Sequence, residues 1–214
     1  MGCRRLGSVL ISVNNEVHDP ERCVRMGKVL WHTMMSLDGF VAGPNDDMRW
    51  VFGVDGGKGE TMDEVVRSAG ALLVGRRTQD VEDRLQPGFY GGAFRGPFFV
   101  LRHDPPPEPP VVKGVSGRFL DVSIEEAIRT AKEAAGDDDL VVLGANVARQ
   151  CVEAGLLDEI IVHVAPVLVG DGVRLFERPR GEPVRLKWIS SADEGETTVL
   201  RYSVGRREDT SADS

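Results

Sequence analysis

The sequence predicts an α/β domain, with a mixed, mostly parallel sheet, helices on both faces and an antiparallel C-terminal edge. Three observations predict it. Two short runs, ALLVG at Ala71–Gly75 and LVVLG at Leu140–Gly144, are apolar throughout. That is the mark of central strands covered on both faces. Segments with helical spacing alternate with strand candidates, which implies parallel pairing through crossover helices. The last two strand candidates, RLKWIS and TTVLRYSV, have no helix between them. They should therefore pair antiparallel at an edge.

Each element follows from local chemistry. KVLWHTMM (Lys28–Met35) is the first strand candidate, and SLDGFVAGPNDDMRW after it reads as a loop too polar to form an element. Glu60–Ser68 places Met62, Val65 and Val66 on one helical face. After ALLVG, Arg77–Leu85 forms a short helix. GPFFVLRH is the next strand, ended by the extended proline segment DPPPEPP. Ser123 caps a helix over Ile124–Ala135, with Glu126 completing a capping box and Gly136 stopping it. LVVLG is followed by a helix over Asn146–Ala154, stopped by Gly155, and EIIVHVAPVLV is a long strand. Residues 26–205 read as one domain. Residues 1–25 read as an appended, poorly ordered segment that the domain does not need, and 206–214 as a disordered tail.

Composition narrows the function classes. The chain has 214 residues, enough for one domain with a substantial core. A net charge of −8 disfavours nucleic acid and anionic membranes as partners. No apolar run is long enough to span a bilayer. Cys3, Cys23 and Cys151 are widely spaced, which points to a reduced cytoplasm with no disulfide framework, and Cys151 reads as helix packing. His18, His32, His103 and His163 are scattered without metal-ligand spacing, so no metal is expected, and His163 reads as a satisfied core or interface histidine.

Two strand–turn–helix motifs carry the chemistry. GRRT (Gly75–Thr78) lets the backbone turn closely. It offers a hydroxyl and two guanidiniums to a phosphate, although a capped helix with two solvated arginines has the same pattern. The Gly144–Ala145–Asn146 turn is a second such motif, with Asn146 also suited to a plain N-cap. It lacks the GxGxxG fingerprint. Two phosphate cradles in one small domain suggest a dinucleotide.

With these motifs the chain resembles the dihydrofolate reductase superfamily, on the branch of the riboflavin-biosynthesis reductase domain. SLDGFVAG (Ser36–Gly43), GRRT, FFVLRH (Phe98–His103) and the run from Leu140 to Phe176 carry the resemblance, in order, over Lys28 to Gly205. It implies a three-layer dihydrofolate reductase-like fold and NADPH as hydride donor to a small nitrogen heterocycle. It implies cofactor contacts from Ala42, Gly75, Arg76, Arg77, Thr78, Leu101, Arg102, Gly144, Ala145, Asn146, Val147 and Ala148. Arg76 would meet the 2′-phosphate, Thr78 the pyrophosphate, and backbone groups of Ala42 the carboxamide. Ser36 and Trp50 are expected on the substrate side, with Trp50 either stacking over the pocket or packing in the core. Asp38 is the candidate catalytic acid, although Asp-Gly also suits a plain turn. The resemblance further implies a homodimer. The alternative reading is a non-catalytic NADPH-binding protein on the same scaffold.

Overall fold

The computed structural model describes residues 27–85, 88–179 and 181–205. The N-terminal segment with Cys3 and Cys23, and the tail 206–214, lie outside the described residues. In chain order the strands are β1 (Val29–Ser36), β2 (Phe40–Ala42), β3 (Ala69–Gly75), β4 (Phe98–Leu101), β5 (Val111–Val112) and β6 (Val115–Ser116). They continue with β7 (Arg118–Leu120), β8 (Asp139–Leu143), β9 (Glu159–Ala165), β10 (Val173–Arg174), β11 (Leu186–Glu194) and β12 (Thr197–Val204). The helices are α1 (Glu60–Ser68), α2 (Arg76–Leu85), α3 (Ile124–Ala135) and α4 (Ala145–Glu153).

Among the described residues eight strands form one sheet, in the order β11-β12-β9-β1-β8-β3-β4-β7. The pairings from β9 through to β7 are parallel, and β12 and β11 add an antiparallel edge. The apolar runs ALLVG and LVVLG are the adjacent central strands β3 and β8, as unbroken hydrophobicity requires.

Period-two alternation sorts the strand side chains into two cores. Trp31, Leu73, Val142 and Val162 face one side, where α3 and α4 bury Ala127, Ile128, Ala131, Ala148 and Cys151 against them. Leu30, Leu72, Val141 and Ile161 face the other, under Val65 of α1 and the Phe89–Phe98 pair, whose rings meet edge to face at 5.2 Å. The sheet is thus covered on both faces, and the Cys151 thiol, pushed up to about 12 by burial, is core packing.

Ser123 caps α3 by accepting the Glu126 backbone N–H at 3.3 Å. Two expectations need correction. The segment after β1 is not all loop. Phe40, Val41 and Ala42 are buried as β2, which pairs with β10. The strand read through EIIVHVAPVLV ends at Ala165, because Pro166 has no N–H to continue the ladder. The chain then turns, and Val167 accepts from the Leu37 backbone at 2.9 Å.

Candidate active site

A cleft of about 930 Å³ opens at the C-terminal ends of the parallel strands, where α/β sheets place their ligands. The register aligns Val74 of β3 with Leu143 of β8. The two strands therefore end level, and α2 and α4 start side by side. Gly144 makes this approach possible. Its φ is +93°, and a Cβ there would sit 2.4 Å from Thr78 Oγ1. Gly144 also stands at the N-cap of α4 with no side chain capping the helix. The first N–H groups of α4 are thus left for a ligand. Asn146 is not the cap. Its side-chain oxygen accepts from Arg149 at 3.3 Å and Gln150 at 3.0 Å.

Charge collects at this end of the cleft. Arg77 grips both oxygens of Asp46, with Nε at 3.0 Å from one of them, and so ties α2 to the loop after β2. Arg76 has only an exposed contact with Asp80, one turn on, at 3.1 Å. A pair of that kind is weak, so Arg76 is free to exchange Asp80 for a phosphate. Arg102 lies over the Phe119 ring at 5.3 Å, and its Nε is buried with no partner among the described residues. The α4 N-terminus, the side-chain-free turn at Gly144 and the available guanidiniums fit a phosphorylated dinucleotide.

Of the expected cofactor residues, Ala42, Gly75, Arg76, Arg77, Thr78, Leu101, Arg102, Gly144, Ala145, Asn146 and Val147 line the cleft. Ala148 does not; it is fully buried in the core one turn into α4.

The expected substrate-side residues are placed differently. Ser36, Asp38 and Trp50 are not among the cleft-lining residues. Ser36 is fully buried; its Oγ donates to Asp38 at 2.6 Å and accepts the Phe40 N–H at 2.9 Å. Asp38 also accepts from the backbone N–H groups of Val169 at 3.0 Å and Gly170 at 2.7 Å. Its carboxylate therefore clasps the segment after β9 and does not face the cleft. The Ser36 hydroxyl, followed by the backbone N–H donors, holds it at about 2 against an ordinary 3.8. Trp50 buries Nε1 without a partner, and its neighbours Met48 and Val51 reach the cleft instead.

Sequence reasoning missed the opposite wall. His32, Tyr90 and His163 line it together with Glu194. Glu194 accepts the Thr61 N–H at 2.9 Å and so caps α1, whose Gly59 cap has no side chain. The one available signal was that His163 alternates with apolar residues in a strand. Nothing local says that the strands of His32 and His163 are neighbours.

The family model for the RibD C-terminal domain matches residues 27–93 and 94–200. The chain belongs to the RibD C-terminal domain family. No curated protein matches it. Solved structures share the fold. A protein named for riboflavin biosynthesis from Shewanella sp. PV-4 superposes with a TM-score of 0.70 at 22% identity, over 84% of this chain and 99% of that one. A Thermotoga maritima diaminohydroxyphosphoribosylaminopyrimidine deaminase/5-amino-6-(5-phosphoribosylamino)uracil reductase gives 0.64 at 16% identity, over 84% of this chain and 57% of that one. The riboflavin biosynthesis reductase of Saccharomyces cerevisiae gives 0.56 at 16%, over 86% and 92%. These RibD-like neighbours carry the dihydrofolate reductase-like arrangement that the motifs imply. Among the described residues no helix is long and apolar enough to cross a membrane, and no group of three acidic, histidine or cysteine side chains is placed to hold a metal.

Gly144→Ala is expected to destabilise by about 1–3 kcal/mol, since an alanine is strained at that φ and its methyl meets Thr78. Adding Thr78→Ala should recover the steric part only. Urea unfolding of the two single variants and the double one measures both parts. Simple additivity would show that the two residues do not touch.

The Asp38 clasp has a pH signature. Its folded value lies below the ordinary one, so its stabilisation is full above about pH 4 and is lost as pH falls through about 2. Asp38→Asn should flatten the fall in melting temperature across that window. A variant whose melting falls with acid as steeply as the wild type would show that the clasp carries no stability.

Proposed function

We propose that the protein is an NADPH-dependent reductase that delivers a hydride to a small nitrogen heterocycle of the pteridine or pyrimidine type. The observation that carries the reading is the convergence of the α2 and α4 N-termini on one end of a dinucleotide-sized cleft, with Arg76 beside them. Family membership and the reductases among the structural neighbours support it. In this reading the α4 N–H groups and Thr78 hold the pyrophosphate. Arg76 holds the 2′-phosphate, with Arg102 adding charge, and Ala42 lies at the carboxamide. When bound, the nicotinamide supplies the hydride. The chain's own residues bind the phosphates, orient the heterocycle and keep water out. Asp38 acts at one remove, by setting the loop that carries Ala42.

One observation favours the alternative, a non-catalytic NADPH-binding protein. The acid of the SLDG loop is engaged by backbone and does not face the cleft. NADPH oxidation against a panel of dihydropterins and aminopyrimidines separates the two, with nicotinamide fluorescence reporting cofactor binding. Binding without oxidation of any member favours the alternative.

NADPH should bind better than NADH by tenfold or more, since charge-assisted bonds to a phosphate are worth about 1.5–3 kcal/mol. Arg76→Ala should remove most of that preference while leaving NADH affinity unchanged. Equal affinities in the wild type would sink the assignment of Arg76.

The reading includes a homodimer formed on the β11 edge. β11 is exposed along nearly its whole length, and Leu186, Trp188 and Ile189 stand on it with Trp188 66% exposed. A long open edge with large apolar side chains is an invitation to pair. Light scattering at micromolar concentration should give twice the 23.4 kDa chain mass, and Trp188→Lys should shift it toward the monomer. A wild-type monomer would refute the dimer.

A further inference from the structure

Two histidines far apart in sequence meet on the cleft wall. His32 of β1 and His163 of β9 bring their Nε2 atoms to 2.9 Å. On its other side, His32 Nδ1 is 2.9 Å from the Tyr90 hydroxyl, and the two rings stack with centroids 5.5 Å apart. All three side chains line the cleft.

Proton placement follows from these contacts. A hydrogen bond between two imidazole nitrogens needs the proton on one and a lone pair on the other. If His163 donated, His32 would have to donate from Nδ1 to Tyr90, and the buried hydroxyl proton would have no acceptor among the described residues. That arrangement is costly. With Tyr90 donating, both contacts are made and the one unpartnered proton passes to His163. His32 accepts at Nδ1 and donates from Nε2, and His163 accepts at Nε2. His163 must then carry its own proton on Nδ1. That nitrogen has no protein partner among the described residues and is not among their buried, unpaired atoms. Burial first, then His163 and Arg201, hold His32 at about 3. Burial lowers His163 as well, against an opposing pull from Glu194. The pair is therefore neutral, and each tautomer fixes the other.

We propose that His163 is the substrate-facing hydrogen-bond donor of the reduction, held in its Nδ1–H tautomer by His32 and Tyr90. The inference rests on the reductase reading above. As a hydride passes from NADPH to the carbon of a carbon–nitrogen double bond, the π pair moves to the nitrogen, which gathers negative charge and then takes a proton from solvent water, while the cofactor leaves as NADP+. A neutral N–H already aimed at that position stabilises the charge without reorganising. His163 is then a catalytic residue, and His32 and Tyr90 are positioning residues.

Nitrogen-15 NMR of the ligand-free protein tests the tautomers without turnover. The wild type should show His163 protonated at Nδ1 and His32 at Nε2. Tyr90→Phe, which removes the hydroxyl contact to His32, should redistribute the proton on His163. An unchanged His163 tautomer overturns the chain. Turnover tests the donor, using NADPH and the panel member reduced fastest. His163→Leu should lower kcat roughly 10²-fold or more, the scale of losing one such donor, with NADPH affinity unchanged. His163→Asn, which keeps an N–H near the Nδ1 position, should recover part of the loss. Tyr90→Phe supplies a second variant should His163→Leu fail to fold; its kcat should fall while NADPH affinity holds. Wild-type kcat in His163→Leu overturns the donor role while the reductase reading stands. A wild type that oxidises NADPH with no panel member overturns the reductase reading and the donor role with it.

Discussion

The cleft depends on one close approach, that of Thr78 Oγ1 to the bare Cα of Gly144. Parallel pairing brings the ends of β3 and β8 level. Level ends alone would leave two helices competing for the same space. A Cβ at residue 144 would meet the Thr78 hydroxyl at 2.4 Å, and one at Gly75 would press on Val147 at 3.2 Å. Glycine at both turns lets α2 and α4 begin side by side, and α4 begins with no side-chain cap. The anion site proposed there would thus be a consequence of sheet register and missing side chains, before any arginine is counted.

The arginines then divide the work. The chain carries a net charge of −8, so an anionic ligand needs local compensation to approach. Arg77 lines the cleft and is held by Asp46 at both oxygens, which ties α2 to the loop after β2. Arg76 pairs only across a solvent-exposed turn and can exchange partners. Arg102 is braced by Phe119 and keeps an unpartnered nitrogen. The opposite wall holds the neutral histidine pair.

Much of this was legible in the sequence because it is local. Apolar runs gave β3 and β8, the Ser123 cap gave the start of α3, and glycine turns before helices gave the paired starts of α2 and α4 at the cleft. Contacts made across register were not legible. His32 and His163 meet only because β1 and β9 are adjacent, with Met34 opposite His163. Asp38 looked like an acid for chemistry or a turn residue, and its backbone partners, Val169 and Gly170, lie 131 and 132 positions away. β2 was hidden because its three apolar residues sit in a polar stretch and pair with a segment far along the chain. Trp50 illustrates the same limit. Its size suggested stacking, yet Met48 and Val51 on either side of it reach the cleft.

The far edge of the sheet also belongs to the site. At the β11–β12 turn, Gly195 packs so closely on the loop before α1 that a Cβ there would lie 2.3 Å from the Gly57 backbone nitrogen. Glu196 donates to the Asp55 carbonyl at 2.7 Å, and Glu194 caps α1 from the same turn. The loop so held, Gly56 to Gly59, lines the cleft. A backbone-to-backbone fit of this kind has little room to adjust, because neither glycine has a side chain to rotate out of the way. The antiparallel edge therefore sets one wall of the cleft. A surface that covers β11 is linked to the site through a single rigid hairpin.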